Sequence, residues 1–118
     1  IDPDVDFVVI NLGTNDAYAY NGDTTSKQSK KFAEDYLSML NAMTAVYTKA
    51  KFVLCYGMMG TVPFIDLGIE RVIKDLPGKV YYCLLPSNVG GAGAHPTVAG
   101  HRAAAATLTA FIQELLGN

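Results

Sequence analysis

The chain has no apolar run approaching the ~20 residues needed to cross a bilayer, so no membrane-spanning helix is expected. It has no basic stripe either. Nine Lys and Arg against eleven Asp and Glu give a formal charge of −2, which argues against a nucleic-acid surface. Metal ligands are scarce, with two cysteines and two histidines. Cys55 and Cys83 both lie inside apolar segments, where a free thiol serves as a small buried hydrophobe. A metal site would need more ligands than these two and a distant His. No metal and no organic cofactor are expected. The chain opens Ile1-Asp2-Pro3-Asp4 with neither an initiator Met nor a signal-peptide pattern. It is therefore expected to begin inside a longer polypeptide.

What is present points to an ordinary folded domain. The 118 residues are half apolar, enough for one domain with one core spanning 1–118. Nothing in the composition marks disorder. There is no repeat, low-complexity tract or flexible linker.

Three apolar runs read as strands. Asp6-Phe7-Val8-Val9-Ile10-Asn11-Leu12 ends in Gly13, Lys51-Phe52-Val53-Leu54-Cys55-Tyr56 in Gly57, and Lys79-Val80-Tyr81-Tyr82-Cys83-Leu84-Leu85 in Pro86. Near-continuous hydrophobicity without alternation fits strands buried on both faces of a parallel sheet. A helical pattern follows each run. Phe32, Tyr36, Leu40, Met43 and Tyr47 recur at spacings of three and four, widened by Ala33 and Leu37. Thr25 with Gln28 three residues later resembles a capping box, which predicts a start near Ser26. Ile65, Ile69, Val72, Ile73 and Leu76 trace a second helix, interrupted by Gly68 and ended by Pro77-Gly78. The third is expected from about Thr97 to Leu116, with Ala103 to Ala106 allowing close approach to a sheet and Gly117 as its stop.

The order is β-α-β-α-β-α, and right-handed crossovers make the sheet parallel. Three strands are few, and the first leaves an edge open. A missing strand is expected there; without it, two copies could pair along that edge as a homodimer. In open α/β sheets ligands bind beyond the carboxyl ends of the strands. Topology alone therefore brings three segments to one edge: Thr14, Asn15 and Asp16; Gly57, Met58, Met59 and Gly60; and Ser87 through His95.

The chemistry at that edge has two readings. Asn15 can aim its amide at a developing oxyanion, or simply cap a turn, as Asn-Asp pairs often do. Gly13 permits a tight turn or a close approach by a substrate. Asp16 is expected to hold its loop by accepting backbone N–H bonds. His95 follows the glycine-rich Gly90-Gly91-Ala92-Gly93-Ala94 and precedes a helix. It can take a proton near neutral pH, or be an ordinary loop histidine. Pro96 suits a helix entry. His101 reads as structural, packed or bonded near the helix start. No serine occupies a convincing nucleophile position. Ser26, Ser29 and Ser38 fall on or near the first helix, and Ser87 lies in a loop.

Two motifs carry a resemblance. Gly13-Thr14-Asn15-Asp16, after its apolar strand, resembles the third conserved block of the SGNH (GDSL-type) hydrolases. His95-Pro96-Thr97-Val98-Ala99-Gly100-His101 resembles the fifth. The likeness covers essentially the whole chain. Tyr56-Gly57-Met58-Met59-Gly60 is further similar to the family 2 carbohydrate esterases, which deacetylate plant polysaccharides such as xylan. The resemblance implies the C-terminal portion of a three-layer α/β/α, flavodoxin-like fold. It implies His95 as general base and Asn15 as oxyanion-hole donor, with Gly13, Thr14, Asp16, Gly57 and Met58 shaping the site. It also implies an extracellular or cell-surface setting.

The sequence departs from the family twice. The Gly-Asp-Ser block carrying the nucleophile, and the block with a second oxyanion donor, have no counterpart here. They belong to the N-terminal part of the fold, which is expected as a missing partner segment of the same polypeptide. The Asp that many members carry three residues before the His is Ala92. A Ser-His dyad with a backbone carbonyl orienting the imidazole would fit that change, as would an acid supplied from elsewhere. The leading reading is part of a serine esterase removing O-acetyl groups from carbohydrates, inactive as this chain alone. The alternatives are a non-catalytic carbohydrate-binding or assembly domain, and an SGNH esterase acting on lipid or thioester substrates.

Overall fold

The segment Lys51–Tyr56 forms the central strand, β2, and five of its six residues are fully buried. Its composition demands this, because an unbroken run of apolar side chains alternates onto both faces of a sheet. β1 (Phe7–Asn11) pairs with one side of β2 and β3 (Val80–Leu84) with the other, both parallel. The order is β1-β2-β3. The computed structural model describes residues 2–19 and 26–117.

Helices α2 (Ser26–Val46) and α3 (Pro63–Asp75) cover one face, and α4 (Val98–Leu116) covers the other. The alternation is strict. Val8, Ile10, Phe52, Leu54, Tyr56, Val80 and Tyr82 meet α2 and α3. Phe7, Val53, Cys55, Tyr81, Cys83 and Leu85 meet the α4 face. This is the expected α/β/α portion. Cys55 and Cys83 are free and buried, and they stand directly opposite each other across β2 and β3.

The structure departs from the sequence reading in three places, and a fourth expectation falls outside the described residues. Burial on both faces holds for β2 alone; Val9 and Leu84 are 44% and 53% exposed, because β1 and β3 are the edges of the sheet. A short helix, α1 (Thr14–Ala19), replaces the expected turn after β1. Of the four alanines expected against the sheet, only Ala104 is buried. Thr25, half of the expected capping box, lies outside the described residues, although α2 starts at Ser26 as the spacing predicts.

Gly68 proves to be a packing residue. A Cβ there would stand 2.6 Å from Phe32 Cδ1 and 3.1 Å from the Ser29 carbonyl oxygen. The same crossing of α2 and α3 holds Ser29, whose fully buried hydroxyl accepts from Arg71 Nε at 3.0 Å. Phe64, absent from the expected stripe, is 2% exposed and completes the contact.

Candidate active site

β1 ends at Asn11 and the chain turns sharply at Gly13, whose φ is +130°. Its carbonyl accepts from Ala17 N at 3.0 Å, closing the first turn of α1. Thr14, Asn15 and Asp16 thus begin a helix. Asn15 is exposed. Thr14 lines a cleft of about 190 Å³ together with Tyr56, Met59, Thr61 and Val62. The Tyr56 hydroxyl, buried beneath, accepts from Val62 N at 2.9 Å. Burial raises its pKa, and the bond from the Val62 N–H partly offsets this.

Asp16, expected in a loop, lies in a helix instead. It lies in the first turn of α1, where the free N–H groups of a helix start favour a negative charge. It lines a separate hollow of about 150 Å³ with Leu12, Phe32, Asp35, Tyr36 and Met39. Burial first, and then the neighbouring Cys55 and Asp16, push the pKa of the Tyr36 phenol up.

Gly57 ends β2 with φ +114°, and a Cβ there would come within 2.9 Å of the Leu85 carbonyl oxygen. It therefore brings the segments after β2 and β3 together. Met58 sits between all three strand ends. Its carbonyl accepts from Asn88 N at 2.9 Å, and its sulfur lies 4.0 Å from Asn11 Nδ2.

His95 follows a single 3₁₀ turn, Ala92–Ala94, and precedes the N-cap of α4, Thr97. Its backbone is extended, its N–H donates to Ala92 O at 3.3 Å, and its carbonyl accepts from Gly91 N at 2.8 Å. Gly91 is required, because a Cβ there would lie 2.7 Å from that carbonyl oxygen. Gly93 and Ala94 both adopt positive φ, 64° and 60°. For Ala94 this costs about 1–2 kcal/mol. The imidazole is exposed, and among the described residues no carbonyl or carboxylate hydrogen-bonds to its ring. The orienting carbonyl expected for a dyad is not among them.

Sequence reasoning missed Asn88, which lay inside the expected Ser87–His95 segment without a role. Its Oδ1 accepts from Thr97 N at 2.9 Å and from Gly90 N at 3.2 Å. The signal was available: an Asn two residues before a glycine commonly closes an Asx turn. His101, expected to pack or bond near the helix start, is exposed. Ser29 is sealed in the helix crossing, while Ser38 and Ser87 are exposed. Among the described residues, no group of three or more His, Cys, Asp or Glu side chains could hold a metal, and no helix is long and apolar enough to cross a membrane.

No family model matches the chain. The cellulase/esterase CelE of Acetivibrio thermocellus is 33% identical over 121 residues, covering 93% of this chain and 14% of that protein. A family two carbohydrate esterase from Clostridium thermocellum, solved with cellohexaose, superposes with a TM-score of 0.76 at 30% identity. It covers 97% of this chain and 37% of its own. An acetyl xylan esterase, Est2A, from the rumen bacterium Butyrivibrio proteoclasticus superposes with a TM-score of 0.82 at 22% identity, over 97% of this chain and 38% of its own. The chain thus spans a little over a third of these solved relatives. It is similar in sequence and in fold to the family 2 carbohydrate esterases, and matches a portion of their SGNH-type architecture.

Proposed function

We propose that this portion of a family 2 carbohydrate esterase fold supplies the base and one oxyanion donor of a serine esterase that removes O-acetyl groups from carbohydrates. The supporting observation is the meeting of three strand ends through Met58. That residue ties the end of β1 to the loop bearing His95. Asn15 begins the helix on one side of this junction and His95 leaves the loop on the other.

The nucleophilic serine comes, in this reading, from another segment of the same polypeptide. β1 is an edge strand with Val9 and Leu12 each 44% exposed, and an unpaired edge is where a further strand adds. A second copy is the competing occupant. His95 then takes the serine proton as Oγ attacks the acetyl carbonyl. The Asn15 amide donates to the oxygen as it becomes negative. When the tetrahedral intermediate collapses, the sugar oxygen leaves with the proton from His95, and the acetyl group stays on the serine. Water, deprotonated by His95, releases acetate and restores the serine.

The test is His95→Ala in the protein that joins this chain to its serine-bearing segment. The expected loss in kcat on acetylated xylo-oligosaccharides is at least ~10²–10⁴-fold with the melting temperature retained. A folded variant with near-normal turnover would remove His95 from the mechanism. Turnover of long-chain acyl esters or thioesters in preference to sugar acetates would favour the lipid or thioester alternative.

A further inference from the structure

The loop that carries His95 is long, rich in glycine and open to solvent, yet a base must be held within about 0.5 Å of its productive position. Three features hold that loop, and all meet at one residue. Asn88 Oδ1 accepts from Gly90 N at 3.2 Å, near the start of the loop, and from Thr97 N at 2.9 Å, at its end. One oxygen therefore closes both ends of the segment between residues 88 and 97. The Asn88 backbone N–H donates to Met58 O at 2.9 Å, fastening the closed loop to the end of β2. Its Cβ and Cγ lie against α4 where Gly100 has no side chain; a Cβ at Gly100 would stand 2.6 Å from each of them. Thr97 continues the series, its Oγ1 accepting from Gly100 N at 3.1 Å.

The geometry points to Asn88 as the positioning residue of His95, an inference that rests on the esterase reading above. Between the clamped ends, only the backbone bonds Gly91 N to His95 O and His95 N to Ala92 O shape the turn. No acid stands at Ala92 and no partner holds the imidazole ring among the described residues. In this chain the frame around the backbone of His95 takes over the orienting task that a neighbouring acid would otherwise perform. Asn88 does not touch the reacting atoms. It fixes where the Cα of His95 sits and thus where the ring can reach.

The chemistry supplies a readout that a merely structural role would not move. A misplaced His95 delivers its proton poorly to a sugar alkoxide, a weak leaving group. A 4-nitrophenolate leaves without that proton. The experiment compares Asn88→Ala, Asn88→Asp and Gly68→Ala with the parent in the protein carrying the serine segment. Active sites are counted with a fluorophosphonate, and turnover is measured on acetylated xylo-oligosaccharide and on 4-nitrophenyl acetate. Asn88→Ala is expected to lose activity on both esters, through weaker activation of the serine and of water, and to lose about tenfold more kcat/KM per titrated site on the sugar ester, because only its alkoxide needs the proton from His95. Asn88→Asp keeps an acceptor for Thr97 N and Gly90 N, and is expected to recover most of the sugar-ester rate. Gly68→Ala, which disturbs packing far from the loop, is expected to leave the ratio of sugar-ester to aryl-ester turnover unchanged. Equal losses on both esters for Asn88→Ala, or no recovery with Asn88→Asp, would overturn the role of Asn88 while leaving His95 as base. A parent protein that hydrolyses neither ester would overturn the esterase reading, and activity that survives His95→Ala would remove His95 from the mechanism; either result takes this inference with it.

Discussion

The ring of Tyr56 occupies the space that a side chain on Gly13 would need. A Cβ on Gly13 would stand 3.0 Å from Tyr56 Cδ1 and 2.8 Å from Ile65 Cγ2. The φ of +130° at Gly13 is also closed to other residues without strain. Glycine therefore precedes Thr14-Asn15-Asp16 for two independent reasons, and both serve to seat α1 on the core beside the cleft. Gly13→Ala is expected to destabilise the fold by about 2–4 kcal/mol, adding a left-handed backbone penalty to overpacking. Urea denaturation measures this. An unchanged midpoint would show that Tyr56 yields and that the seating of α1 is loose.

Gly68→Ala is expected to cost about 1–3 kcal/mol, because the new methyl meets Phe32 and the Ser29 carbonyl at the crossing of α2 and α3. In an exposed helix the same change would stabilise by ~1 kcal/mol, so even the sign is informative. A raised melting temperature would mean that the two helices separate readily.

Much of this was legible because it rests on periodicity. The three strands and the spans of α2, α3 and α4 follow from apolar spacing, and the shared edge follows from parallel topology. α1 was not legible. Thr14-Asn15-Asp16 has weak helix propensity and reads as a turn; packing of the Gly13 corner against Tyr56 and Ile65 overrides that preference. Asn88 was invisible for a different reason. Its importance lies in accepting from residues two and nine positions along, and the second of these depends on the folded path of a loop. The setting of Asp16 was hidden with that of α1: it lies in a first helical turn and lines the hollow beside Tyr36. The open burial of β1 follows from its place at the sheet edge, which composition does not reveal.

Stability is expected to fall as pH rises from about 9 toward about 12. Cys55 is pushed from the ordinary thiol value to about 12, first by burial, then by the neighbouring Cys83. Tyr36 and Tyr82 are also raised, mainly by burial, with Asp66 adding to the shift at Tyr82, whose hydroxyl donates to it at 2.5 Å. A raised pKa means that the folded state keeps its proton after the unfolded chain has lost it. The unfolded state then binds fewer protons, so stability is fully present below the unfolded value and lost above it. Cys55→Ala is expected to flatten the decline between pH 9 and 11, measured by urea titration at fixed ionic strength. An identical slope in parent and variant would show that the thiol does not contribute. Below pH 9, both thiols should resist a water-soluble disulfide reagent until the chain unfolds.

Asn15 offers the sharpest test of the site, because it is exposed and its replacement should leave the fold intact. If its amide donates to the oxyanion, Asn15→Ala removes one donor among several. The expected loss in kcat is about 10²–10³-fold, with KM nearly unchanged because the bond strengthens only as charge develops. Asn15→Asp keeps the shape and inverts the electrostatics, placing a carboxylate where the carbonyl oxygen becomes negative. It should therefore be worse than Asn15→Ala despite being the closer isostere. If Asn15 only capped the start of α1, the order would reverse, since a negative charge in a first helical turn is favourable. Measuring kcat and melting temperature for both variants in the serine-bearing protein separates the roles. An Asn15→Asp protein as active as the parent would place the oxyanion donor elsewhere.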